Sequence, residues 1–328
     1  VSTMVDAATR LKGDPQIELS RVNRWFGPTH AVADVSFRVM AGEVFGYIGP
    51  NGAGKTTSMR ILATLDEPTS GDAWVDGFSV VEDPDRVRSR LGFMPDYYGA
   101  YQNVNVGEYL DFFARAYGLR GSERRHAISF AMDFTGLEPL RLKPIDGLSK
   151  GMKQRLCLGR TMIHDPSVMV LDEPAAGLDP RARIELREMI SRLADLGKAV
   201  LISSHILTEL AEVCDRVGII EQGQLLAVGS VEEISERVAE HQTVRATLVG
   251  DPGRAAAWLA EQQGVTVPDQ RPASLPQKAV EFDLVGDDTD RARLLRAMIE
   301  AGMEVSDFSC RTRSLEDVFL EVTRGRVQ

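Results

Sequence analysis

The sequence predicts an α/β fold, a mainly parallel sheet with an inserted helical subdomain, followed by a small α+β domain. Short apolar runs of strand length alternate with helix-period segments through the first 230 residues, the pattern of parallel strands joined by crossover helices. One of those runs passes through a glycine-rich loop straight into a helix. Beyond residue 230 the order becomes strand, helix, strand, helix, strand, as in a split βαβ unit. The 328 residues suffice for about two domains. At 43% apolar and 26% charged, the composition is that of a globular chain and excludes disorder, collagen and a disulfide scaffold.

Taken in order, residues 1–16 form a polar tail in which Asp6, Arg10, Lys12, Asp14 and Pro15 leave no apolar stretch, so no secretory signal is expected. Residues 17–24 and 33–40 alternate apolar and polar side chains as half-buried strands do. Residues 44–48 are a compact apolar strand leading into Gly49-Pro50-Asn51-Gly52-Ala53-Gly54-Lys55-Thr56-Thr57, and Met59, Ile61, Leu62 and Leu65 continue as a helix. Further strands are expected at 90–94, 168–171, 199–203 and 217–221.

Between residues 96 and 165 the pattern turns helical, with Tyr109, Phe112, Phe113 and Ala116 forming a stripe expected to be that subdomain's core. A boundary falls at Gly229-Ser230, giving an expected division into a tail (1–16), a main domain (17–230) and an extension (231–328). The extension reads as a linker helix over 231–240, strands at 243–249, 279–285 and 305–311, and helices at 254–263 and 289–301, with a Pro-rich loop at Pro268, Pro272 and Pro276. At its end Ser314 and Asp317 form a capping box before a helical face of Leu315, Val318, Phe319 and Val322.

Composition also limits function. The longest apolar run, residues 255–260, is six long, far below the ~18 residues of a membrane-spanning helix, so any pore is expected in another chain. A net charge of −10 argues against a nucleic-acid-coating role. There are 26 basic and 30 acidic residues up to position 230, then 12 and 18, so acidity is denser in the extension. Cys157, Cys214 and Cys310 lack metal-ligand spacing and read as small buried hydrophobes in a reducing compartment.

The chemistry begins at Gly49-x-x-x-x-Gly54-Lys55-Thr56, a phosphate-binding loop in its required strand-to-helix context. Its glycines let backbone N–H groups turn toward phosphate oxygens at a helix N-terminus. Lys55 is expected to reach the β- and γ-phosphates, and the Thr56 hydroxyl to bind Mg²⁺. The second element is the strand 168–171 followed by Asp172-Glu173-Pro174, two carboxylates at the strand end where α/β sheets place ligands. Asp172 is expected to hold Mg²⁺ through water, and Glu173 to orient and deprotonate the attacking water.

Leu148-Ser149-Lys150-Gly151-Met152-Lys153-Gln154-Arg155 resembles the signature motif of ABC-type ATPases, ending 17 positions before Asp172. Gly177-Leu178-Asp179 is similar to the family's D-loop, His205 to its switch histidine, and Phe26 to its adenine-stacking aromatic. Six motifs in order over residues 17–230 make the resemblance specific to that family.

The resemblance implies a P-loop NTPase fold using ATP and Mg²⁺ and a head-to-tail homodimer with each ATP between one P-loop and the other copy's signature. It further implies separate polytopic permease subunits that hold this chain peripherally at the cytoplasmic face of the cell membrane; with the acidic net charge, no nucleic-acid partner is expected. Ser149 and Gly151 would offer free N–H groups before a helix over 152–162. His205 would bond the γ-phosphate of its own subunit, and Asp179 would lie at the dimer seam. The extension ending in Leu315-Glu316-Asp317-Val318-Phe319-Leu320 resembles the drug-resistance branch of exporters.

Two departures stand out. Lys150 occupies the place of a signature glycine and is expected to point away. Asp96 follows Pro95 where the family's Q-loop has glutamine; either Asp96 takes that place as a metal ligand, or it is a turn residue and Gln102 substitutes. Tyr97, Tyr98 and Tyr101 are expected to face the membrane partner. Two alternatives remain: a soluble ABC protein acting on ribosomes or DNA, disfavoured by one P-loop and no sustained heptads, and an ATP-gated clamp with negligible turnover.

Overall fold

The computed structural model describes residues 13–96, 103–206, 212–231, 233, 241–268 and 275–311. It contains no helix long and apolar enough to cross a membrane among the described residues. Contacts divide the chain into two units, Val1–Ser230 and Val231–Gln328.

The first unit holds two sheets. In the larger, strands β3 (Val44–Ile48), β6 (Leu91–Met94), β7 (Val168–Leu171), β8 (Ala199–Ser204), β9 (Arg216–Glu221) and β10 (Gln224–Ser230) take the order β10-β9-β3-β8-β7-β6. All neighbours are parallel except β10, which pairs antiparallel with β9. The strands β3, β7 and β8 are buried throughout, as expected of parallel strands covered on both faces.

One of the layers covering this mainly parallel sheet is itself a sheet. Strands β1 (Ile17–Phe26), β2 (Thr29–Val39), β4 (Ser70–Val75) and β5 (Phe78–Ser79) form an antiparallel sheet of their own, ordered β2-β1-β4-β5. Its inner residues Leu19, Val35 and Phe37 share one core with Phe45 and Tyr47 of β3 and with Met59 and Leu62 of α1 (Lys55–Leu62). Phe37 stacks on Phe45 with centroids 4.9 Å apart. Burial on the opposite face includes Leu186, Met189, Ile190 and Leu193 of α6 (Pro180–Asp195). A short α2 (Pro84–Arg90), unread in the sequence, precedes β6.

The helical subdomain consists of α3 (Val106–Ala116), α4 (Gly121–Thr135) and α5 (Lys150–Thr161). The buried residues of α3 are Val106, Tyr109, Leu110 and Ala114, whereas Phe112 is 59% exposed. The expected stripe was thus out of phase: the aromatic run around 109–113 drew it one position round the helix. Asn105 starts α3 with a capping box, bonding Glu108 N–H while Glu108 bonds back.

In the second unit, β11 (His241–Leu248), α7 (Pro252–Ala260), β12 (Val265–Thr266), β13 (Ala279–Val285), α8 (Asp288–Glu300) and β14 (Val305–Arg311) form an antiparallel sheet ordered β12-β13-β11-β14. With the two-residue β12 added, this is the βαββαβ arrangement of the expected type. Val244, Phe282, Leu259 and Met298 build its own core. Apart from Val231 and Glu233, the expected linker helix lies outside the described residues, as do Ser314, Asp317 and the helical face after them. Cys157 and Cys214 are buried as expected; Cys310 is half-buried.

Candidate functional site

The phosphate loop takes its shape from glycines where nothing larger fits. A Cβ on Gly49 would collide with the Ile220 carbonyl, and one on Gly54, at φ +106°, with the Ala31 carbonyl. Gly54 is also the N-cap of α1 and supplies no side-chain bond, which leaves the helix N-terminus open toward an anion. Gly52 is left-handed, at φ +82°, and Asn51 and Gly52 are exposed beside buried Ala53. Lys55, 5% exposed, donates to the carbonyls of Gly49 (2.6 Å) and Pro50 (3.1 Å). Thr56 and Thr57 sit in the first turn of α1, Thr56 exposed.

At the end of β7, Asp172 is buried while Glu173 turns back in the left-handed region at φ +46°. Glu173 Oε1 lies 3.3 Å from Lys55 Nζ, and its Oε2 lies 2.9 Å from His205 Nδ1. The structure thus brings two of the expected residues, Lys55 and His205, to the carboxylate of a third, Glu173. Burial raises the Asp172 carboxyl above its ordinary value, opposed by the hydroxyls of Ser203 and Thr56 and assisted by the negative charges of Asp96 and Glu173. Asp96, exposed after β6, is therefore electrostatically part of this cluster.

Ser203 is the residue that sequence reading passed over. Its hydroxyl donates to Asp172 Oδ1 (2.6 Å) and accepts from the Glu173 N–H (2.8 Å). The available signal was its place at a strand end two residues before His205.

The signature residues lie elsewhere in the same copy. Ser149 caps α5 by accepting the Met152 N–H, so the helix begins at Lys150, two residues before the expected start, and Gly151 and Met152 fall in its first turn. Leu148 is buried beneath it. Gly151 faces Ala182 in the first turn of α6. The Lys150 ammonium does not point away: it lies against Gly177, where a Cβ would collide with it. Asp179 caps α6 through the Ala182 N–H. Phe26 is 44% exposed, with the Arg24 guanidinium 4.4 Å above its ring, which covers one face. Tyr97, Tyr98, Tyr101 and Gln102 lie outside the described residues.

A family model described as ABC transporter matches residues 32–176, and one for the C-terminal domain of DrrA1-3-like ATP-binding proteins matches 229–323. The daunorubicin/doxorubicin resistance ATP-binding protein DrrA of Streptomyces peucetius is 32% identical over 310 residues, 94% of this chain and 92% of that protein. The chain belongs to the ABC transporter ATP-binding family. Another relative, the probable multidrug ABC transporter ATP-binding protein YbhF of Escherichia coli (strain K12), is 36% identical over 230 residues, or 70% of this chain. The chain spans 40% of the length of that relative. A solved ATP-binding subunit of an ABC transporter superposes with a TM-score of 0.61 at 29% identity, covering 68% of this chain and 92% of that one. The residues matched by the ABC transporter model include the glycine-rich loop at 49–57 and the carboxylates Asp172 and Glu173.

Proposed function

We propose that this chain hydrolyses ATP with Mg²⁺, closes head to tail with a second copy, and powers export through separate membrane permease subunits. The observation that carries the reading is Glu173, suspended between Lys55 and His205 beside the buried Asp172. A bound triphosphate would draw Lys55 away as its counter-charge. Glu173 is then free to accept the proton of a water whose oxygen bonds the γ-phosphorus as the β–γ bridging bond breaks. His205, hydrogen-bonded to Oε2, orients that carboxylate and the γ-phosphate.

The residues present fit the metal. Asp172 Oδ2 is buried without a hydrogen-bond partner, and Thr56 and Asp96 are near enough to act on its charge. Mg²⁺ needs few protein ligands, because it completes its shell with phosphate and water. When bound, it would neutralise charge on the phosphate oxygens. Ser149 and Gly151 would supply the opposite copy's ATP with the N-terminus of α5. Phe26 offers its uncovered face to adenine.

Export is supported by the resistance function in the name of DrrA, and a peripheral place at the cytoplasmic face of the membrane follows from it. Glu173→Gln should lower kcat by about 10²–10⁴-fold while ATP binding, followed with a fluorescent analogue, is retained. A native chain that binds ATP without turnover in the presence of its permease would favour the clamp reading instead.

A further inference from the structure

A left-handed Glu173 persists only where its surroundings hold it. Two holds are local: the Ser203 hydroxyl on its N–H, and the Ala176 N–H on its carbonyl at 3.1 Å. A third comes from the signature helix. Gln154 of α5, 3% exposed, donates Nε2 to the Pro174 carbonyl at 2.7 Å. Its Oε1 is buried with no hydrogen-bond partner, a costly arrangement that stability alone does not reward. One turn earlier, on the same face, Lys150 lays its ammonium against Gly177, itself at φ +65°. The helix therefore grips the loop at both ends, just past Glu173 and just before Asp179.

We propose that Gln154, with Lys150 as a second point of contact, is a positioning residue that ties the signature helix to the seat of Glu173. ATP held by Ser149 and Gly151 of one copy would then set that copy's own hydrolytic carboxylate. Ser149 and Gln154 are separated by about 7.5 Å along one helix, short enough to move as a rigid piece. The inference rests on the head-to-tail reading above.

The test uses the full chain. Gln154→Leu, which has no donor, should lower kcat by about tenfold or more while KM for ATP stays within about twofold. In Gln154→Glu a carboxylate cannot donate to Pro174, but a protonated carboxyl can, and burial raises its pKa. Its turnover relative to the native chain should therefore recover as pH is lowered. Separately from turnover, ATP-loaded Glu173→Gln should show slowed amide exchange over residues 173–179, and adding Gln154→Leu should remove that slowing with ATP affinity unchanged. Unaltered kcat with unaltered exchange protection would overturn the tie. So would kcat, KM and melting temperature all moving together, the behaviour of a packing residue. A native chain without turnover would sink the role of Glu173 and leave the exchange comparison to decide the tie.

Discussion

A single hydroxyl at Ser203 serves two neighbours at once, accepting from the Glu173 N–H and donating to Asp172 Oδ1. Ser203→Ala leaves both groups without that partner in a buried place, so a loss of about 1–3 kcal/mol in stability is expected. Turnover should fall by about tenfold or more as Glu173 loosens; a denaturant midpoint and a kcat both unchanged would refute the assignment. His164 sets a pH limit by a different route. It stacks on Tyr117 with centroids 3.8 Å apart, its Nε2 donates to the Leu91 carbonyl at 3.2 Å, and its Nδ1 is buried without a partner. Burial pushes it down to about 4 from the ordinary 6.5, with Lys198 adding to the depression and the Leu91 carbonyl and Asp165 opposing it. Because the unfolded chain takes up this proton first, stability from this group is complete above pH about 6.5 and is lost as pH falls toward about 4. The effect is on the order of 3 kcal/mol. Melting temperatures of native and His164→Gln chains across that window should converge at the acid end, and parallel curves would remove His164 as the cause.

At the scale of elements, α3 shows what a periodic pattern can and cannot fix. Its helical state was legible from spacing, because apolar residues at 106, 109, 110, 113 and 114 recur at helical intervals. Its phase was not, since Phe112 widens the apolar arc and the packing partner decides which edge is buried. Leu110→Ala, at a fully buried position, should cost about 2–5 kcal/mol. Phe112→Ala, touching Phe113 edge-on at 5.2 Å, should cost about 1 kcal/mol or less. Chemical denaturation of the two variants checks the order; equal losses would restore the original stripe. Strands β3 and β7 were legible to the residue because a strand buried on both faces is an unbroken apolar run. Strands β4 and β12 were not: β4 opens on Ser70-Gly71-Asp72, and β12 is two residues long. Both owe their state to the partner they pair with, a long-range contact that local sequence does not encode.

For the whole molecule, the P-loop pattern, the two carboxylates and His205 could be picked out of the sequence as candidates because the proposed chemistry calls for particular residue types at particular places along the chain. Ser203 and the grip of α5 on the loop after Glu173 could not, because a serine or glutamine is common and acquires its role from what the fold brings beside it. The same distinction governs stability. The core around Phe45, Tyr47 and Phe37 draws on residues between Ile17 and Val228, and the core around Phe282 draws on residues between Val244 and Phe308. No residue belongs to both clusters, so calorimetry should resolve two unfolding steps. ATP bound at the proposed site, the loop of the first unit, should raise that step alone, by about 2.7 kcal/mol at a hundredfold excess over Kd. Phe282→Ala, at a fully buried position in the second core, should lower the other step by about 3–5 kcal/mol and leave ATP affinity unchanged. One shared transition that responds to both perturbations would mean that the two cores fold as a single cooperative unit.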